Sequence, residues 1–241
     1  MPRISPSPIQ HTLWEIERRW GQGALTRASM LDAGRTISTG FAALDALLDR
    51  GGIAVGQMSA VAGMPTSGAT TLVYRLIAGA QEGDGIAAYV DLSGTFDPEY
   101  AVGCGVALDR LLIAATRSPE RGLAIALDAI RSEQVALVAL DGSTAERQID
   151  AEALDRLRAN VARTQCALVL LSRGIHHPAL LHSLIQLRYT GWVVDASGSV
   201  QGYHTRAEVL RDGGTERNRS AMLAIELSTM RRGTSEGEPS A

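Results

Sequence analysis

The spacing of apolar positions changes several times along the chain, and the changes predict its elements. Leu13, Ile16 and Trp20 recur at helical spacing with Trp14 alongside and charges between them, so a short amphipathic helix comes first, capped at Thr12 and stopped at Gly21. Phe41, Leu44, Leu47 and Leu48 repeat with the same period and predict a second helix, halted by Gly51-Gly52. Beyond it, short apolar runs predict strands over 57–62, 86–91, 111–115, 135–140 and 167–171. Between them lie helical patterns over 69–81, 119–131 and 149–163. Strands of this kind are buried on both faces, so the fold class is α/β, a mostly parallel sheet flanked by helices. After Trp192 the rhythm changes. Runs over 191–196, 200–210 and 220–228, with polar turns at Gly198 and Gly213-Gly214, predict antiparallel strands at the C-terminal edge.

Three segments follow. Residues 1–33 form a helix and linker, 34–230 the core, and 231–241 a Gly-, Ser-, Glu- and Pro-containing tail expected to be disordered. The first helix has two uses open to it, packing on its own core or docking on a neighbouring subunit. A net charge of −3 gives no overall attraction to nucleic acid, so DNA would need a local basic patch. No run reaches the roughly 20 apolar residues of a membrane span, and the Pro-rich polar start does not read as a secretory signal. A cytoplasmic protein without a membrane partner is expected. Cys104 and Cys166 lack metal or redox spacing and read as small core residues.

The chemistry concentrates at Val61-Ala62-Gly63-Met64-Pro65-Thr66-Ser67-Gly68-Ala69-Thr70-Thr71. In the phosphate-loop pattern GxxxxGK[ST], glycines turn backbone N–H groups towards phosphate, lysine supplies a charge and the last hydroxyl holds Mg²⁺. Gly63, Gly68 and Thr70 fit, whereas Ala69 stands where the lysine belongs. The candidate nucleotide-binding residues are Gly63, Thr66, Ser67, Gly68, Ala69, Thr70 and Thr71, with Asp141, an acid at the end of an apolar strand and suited to Mg²⁺. All 23 basic residues are arginine, so no lysine elsewhere in the chain replaces the missing one. A cation about 4 Å from phosphate is worth on the order of 4 kcal/mol at an effective dielectric near 20. Two further clusters read as ordinary surface. Arg147, Arg156, Arg158 and Arg163 alternate with acids as on a solvated face, and His176, His177 and His182 lack the partners of a metal set.

The order of these pieces resembles the bacterial RecA family. Residues 13–23, with Ile16 and Trp20, look like the helix by which RecA subunits clasp their neighbours, and the resemblance favours the docking use of this helix. Ile37-Ser38-Thr39-Gly40 with Leu44-Asp45 is similar to the family's entry to its core. Gly51-Gly52, the loop, Asp91, Asp97-Pro98-Glu99-Tyr100 and Gly105-Val106 follow in register to about residue 140. Thr205-Arg206-Ala207-Glu208-Val209 looks like a late strand of the family, and Arg211 falls where the family keeps a basic residue facing the next subunit's nucleotide. The family's separate C-terminal domain has no counterpart in these residues.

The resemblance also marks departures. The family's catalytic glutamate falls on Ser93, two residues after Asp91. Losing a positioned base costs about 10²- to 10⁴-fold in rate. The γ-phosphate-sensing glutamine falls on Arg173. The DNA-contacting loops are shortened, to 142–148 and 174–181. The resemblance thus implies a RecA-like or ImuA-like DNA repair and damage-response accessory without ATP hydrolysis. Its expected partners are RecA filaments or an error-prone polymerase complex, with ATP and Mg²⁺ held weakly or not at all and DNA weakly. The alternative is an active recombinase that binds ATP and single-stranded DNA and takes an arginine in trans.

Overall fold

A computed structural model describes residues 35–143 and 149–227. Ile16 and Trp20 with the first helix, Arg147 with most of the first shortened loop, and the tail from 231 lie outside the described residues. The strands are β1 (Thr36–Ile37), β2 (Ile53–Ala54), β3 (Met58–Gly63), β4 (Ile86–Asp91), β5 (Leu111–Ala115), β6 (Val135–Asp141), β7 (Ala167–Ser172), β8 (Ser183–Val194), β9 (Val200–Asp212) and β10 (Thr215–Glu226). The helices are α1 (Ala42–Asp45), α2 (Ala69–Ala80), α3 (Pro98–Gly103), α4 (Pro119–Arg131) and α5 (Ala151–Val161).

Eight strands form one sheet in the order β10-β9-β8-β3-β7-β6-β4-β5, parallel from β8 to β5 and antiparallel at β9 and β10. The α/β architecture read from the sequence is therefore present, with the antiparallel edge on the C-terminal side. Alternate residues of the central strands face different helices. Val61, Val169, Ile185 and Val209 pack with Leu72, Val73, Leu76 and Ile77 of α2. Met58, Val138 and Leu168 pack on the other face with Ile130 of α4 and Leu154, Leu157 and Val161 of α5. Both free cysteines are buried. No helix among the described residues is long and apolar enough to cross a membrane.

Three elements differ from the sequence reading. The helix expected over 41–48 is a single turn, α1, because Asp45 accepts from Ser38 Oγ (2.6 Å) and Thr39 N (2.9 Å) while the Asp49 N–H donates to Asp212 (2.7 Å). The strand expected over 191–196 begins at Ser183. Its first half lies between β3 and β9 with Leu184, Ile185 and Leu187 all buried, so no alternation announces it. β10 begins at Thr215, since Gly213 (φ 60°) and Gly214 (φ 73°) close a two-residue hairpin directly from Asp212. The two-residue pairing of β1 with β2 had no signal in the pattern.

Candidate functional site

The loop between β3 and α2 has the backbone of a phosphate loop. Thr66 (φ 68°) and Gly68 (φ 89°) take left-handed conformations, and the Ser67 N–H donates to Met64 O (3.0 Å). Gly68 is the N-cap of α2 and offers no side chain to the first-turn N–H groups, which keeps the positive end of the helix available to an anion. Ser67 is buried, 2% exposed, and its Oγ has no hydrogen-bond partner. Such an orphaned donor at a helix N-terminus fits a phosphate oxygen.

The loop forms one wall of a cleft of about 410 Å³. All eight sequence candidates, Gly63, Thr66, Ser67, Gly68, Ala69, Thr70, Thr71 and Asp141, line it. Asp141, at the end of β6, is 1% exposed and has both oxygens occupied. Oδ1 accepts from Ser93 Oγ (3.0 Å) and Ser143 N (3.0 Å), and Oδ2 from Tyr89 OH (2.9 Å) and Thr95 Oγ1 (3.2 Å). Burial and the neighbouring Asp141 charge push the Tyr89 hydroxyl far above the ordinary tyrosine range, so it stays a donor. Asp91 is equally buried but turns away to organise its own loop, accepting from the N–H groups of Ser93 (3.0 Å), Gly94 (2.7 Å) and Phe96 (3.0 Å).

Ser93 therefore stands beside Asp141 as a hydroxyl partner, and it does not line the cleft. Ala69 is buried in the α2 core cluster. Arg173, which follows β7, supplies the one basic side chain among the described residues lining the cleft, where Asp97 and Asp141 are the acids. Arg211 lies at the opposite end of β9 from the cleft-lining Tyr203, with its Nε donating to Leu181 O (2.7 Å).

The sequence reading missed a hydroxyl cluster beneath the loop. Thr71 Oγ1 bonds Tyr100 OH and lies 3.4 Å from Tyr203 OH, while Thr205 Oγ1 donates to Ser67 O (2.7 Å). These contacts fasten α3 and β9 to the loop, and their residues are too far apart in sequence to leave a local signal. Of the other sequence clusters, Arg156, Arg158 and Arg163 are exposed, with Arg158 paired to Asp155 (2.6 Å). Among the described residues no group of three or more His, Cys, Asp or Glu is placed to hold a metal ion.

Comparison with known proteins matches residues 7–176 to the family model described as RecA N-terminal domain. The protein RecA of Roseiflexus castenholzii is 39% identical over 134 residues, covering 54% of this chain and 38% of that protein. RecA of Clavibacter michiganensis is 28% identical over 225 residues, 85% of this chain and 62% of its own length. RecA of Synechococcus elongatus is 29% identical over 235 residues, 88% and 65%. The chain thus spans between about two fifths and two thirds of the length of these curated relatives.

Proposed function

The chain belongs to the RecA family, and from that premise we propose that it is a cytoplasmic accessory in DNA repair and the damage response that does not hydrolyse ATP. It acts by association with RecA filaments, or with an error-prone polymerase complex. The observation that carries the first part is the position of Ser93, whose hydroxyl is bonded to Asp141 and which presents no base to the cleft. The loop backbone and the orphaned Ser67 Oγ still fit the phosphates of a nucleotide. Thr70 would hold Mg²⁺ and Asp141, whose oxygens are already hydrogen-bonded, would reach it through water; the ion shields phosphate charge when bound. Without a lysine at position 69 the nucleotide is held weakly and serves as a switch, not as fuel.

The observation behind association is the free edge of the sheet. β5 is the last strand on its side among the described residues, and Leu112 and Ile113 are 58% and 48% exposed. An edge strand with exposed apolar side chains is a template for another chain. The test has two readouts. Phosphate release at saturating ATP and Mg²⁺ should show no stimulation by single-stranded DNA. A clear stimulation would replace this reading with the recombinase that takes an arginine, Arg211 included, in trans. In light scattering with RecA, Leu112→Glu and the pair Ile16→Ala and Trp20→Ala should each reduce association at unchanged melting temperature. Unaltered association in both would remove the docking role.

A further inference from the structure

Arg75 is the one charged residue of α2, and it is half-buried. Its stem crosses Gly40, where an added Cβ would come within 3.2 Å of Arg75 Cβ and Cδ, and its guanidinium carbon stands 4.9 Å from the centroid of the Phe41 ring. The ring occupies one face of the guanidinium and none of its N–H donors. Among the described residues these donors make no hydrogen bond and no ion pair, and Nε is buried without a partner. An unpaired donor of this kind is costly and calls for an acceptor. Arg75 lines a cleft of about 310 Å³ together with Ser38, Ala78, Glu82, Cys104 and Gly105. The neighbouring polar groups are already engaged: Ser38 Oγ donates to Asp45 (2.6 Å) and accepts from the Gly40 N–H (3.1 Å), and the Cys104 N–H donates to Tyr100 O (3.0 Å). The guanidinium is therefore the group here with donors to spare.

We propose that this cleft binds a small monocarboxylic acid, its carboxylate on the guanidinium fork of Arg75 and its apolar end against Ala78 and Cys104. The planar fork matches the two oxygens of a carboxylate, and stacking on Phe41 holds the fork in one orientation. Charge selects the class. One guanidinium balances one negative charge, and exposed Glu82 on the rim repels a second, so a dianion such as phosphate is disfavoured. The volume suits a small ligand, and the buried Cys104 gives it an apolar wall. The cleft shares no lining residue with the one at the phosphate loop, so the proposal does not depend on nucleotide binding.

The test is a nuclear magnetic resonance titration of the full chain with propionate, propionamide and phosphate at matched ionic strength, followed at the Arg75 Nε–H and the Gly105 amide. Propionate should give a saturable shift of both signals, propionamide none, and phosphate a response about tenfold weaker or less. Arg75→Gln should abolish the saturable shift at Gly105. Arg75→Lys, which keeps the charge without the fork, should weaken binding about tenfold. Circular dichroism melts show which variants are folded, and Arg75→Met, which keeps an unbranched stem, serves in place of Arg75→Gln if that variant unfolds. The proposal fails if propionate gives no saturable shift, if propionamide shifts the same signals equally, or if the response survives removal of the guanidinium. Phosphate binding as tightly as propionate would overturn the choice of a monocarboxylate.

Discussion

At the scale of single residues, the cleft is organised by one carboxylate. Asp141 collects four hydrogen bonds from Tyr89, Ser93, Thr95 and Ser143, which reach it from one strand and two loops. A buried carboxylate depends on such donors because its charge has left water. Tyr89→Phe removes a donor from a charged acceptor with no change of shape and should cost about 1.5–3 kcal/mol. Ser93→Ala, closer to solvent, should cost about 1 kcal/mol. Since both serve the same carboxylate, the double variant should depart from the sum by about 0.5 kcal/mol or more. Urea unfolding of the four proteins measures this, and strict additivity would show that Asp141 is not their common partner in solution. The same geometry gives Ser93 a structural role of its own. Its hydroxyl is part of the support of the acid.

At the scale of elements, the turn from β3 into α2 depends on a glycine for two reasons. Gly68 sits at φ 89°, and a Cβ there would run into Ile225 with Tyr203 and Thr205 close behind. Gly94 has a similar φ, 69°, with nothing within 4 Å. Gly68→Ala should therefore destabilise by about 2–3 kcal/mol and Gly94→Ala by about 1 kcal/mol. Equal losses in thermal unfolding would mean that β9 and β10 do not press on the loop. This contrast also marks what the sequence could disclose. α4 was legible because Ser118, with its Oγ accepting from Arg121 N, and Pro119 give a helix start next to an apolar stripe. β6 was legible because an unbroken apolar run ends at an acid. The loop was legible from its glycines. α1 was misread because what ends it, Asp212, lies 163 residues away from Asp49. β8 was misread at its start because a central strand buries both faces and Gln186 interrupts its apolar run. The tyrosine cluster under Thr71 was hidden for the same reason as α1.

At the scale of the whole molecule, charge and burial are separated along the strands, with the loop-lined cleft at one end and a charged network at the other. Asp49 pairs with Arg217 (2.6 Å) and Arg219 (2.8 Å), and buried Asp212 accepts from Ser183 Oγ (2.7 Å) next to half-buried His182. Burial lowers the His182 pKa below 6.5, with Arg50 and Arg211 acting in the same direction and Asp212 and Asp49 against it. Below pH 6.5 the unfolded chain takes up a proton that the folded chain resists, so stability is lost as the pH falls through the folded pKa. The thiols act at the other limit. Burial pushes Cys104 up to about 11 and Cys166 up to about 12 from 9.0. Above pH 9 the unfolded chain releases protons that the folded chain keeps, so stability present below pH 9 is lost as the pH climbs towards 11 and 12. Melting temperature should therefore form a plateau between about pH 6.5 and 9 with a fall on each side. His182→Gln should flatten the acid fall, and Cys104→Ala with Cys166→Ala should flatten the alkaline one at a lower plateau, because both side chains fill the core. An alkaline limb of unchanged slope in the cysteine variant would assign that loss to the buried tyrosines, of which Tyr74, raised by burial to about 12, is the first to respond.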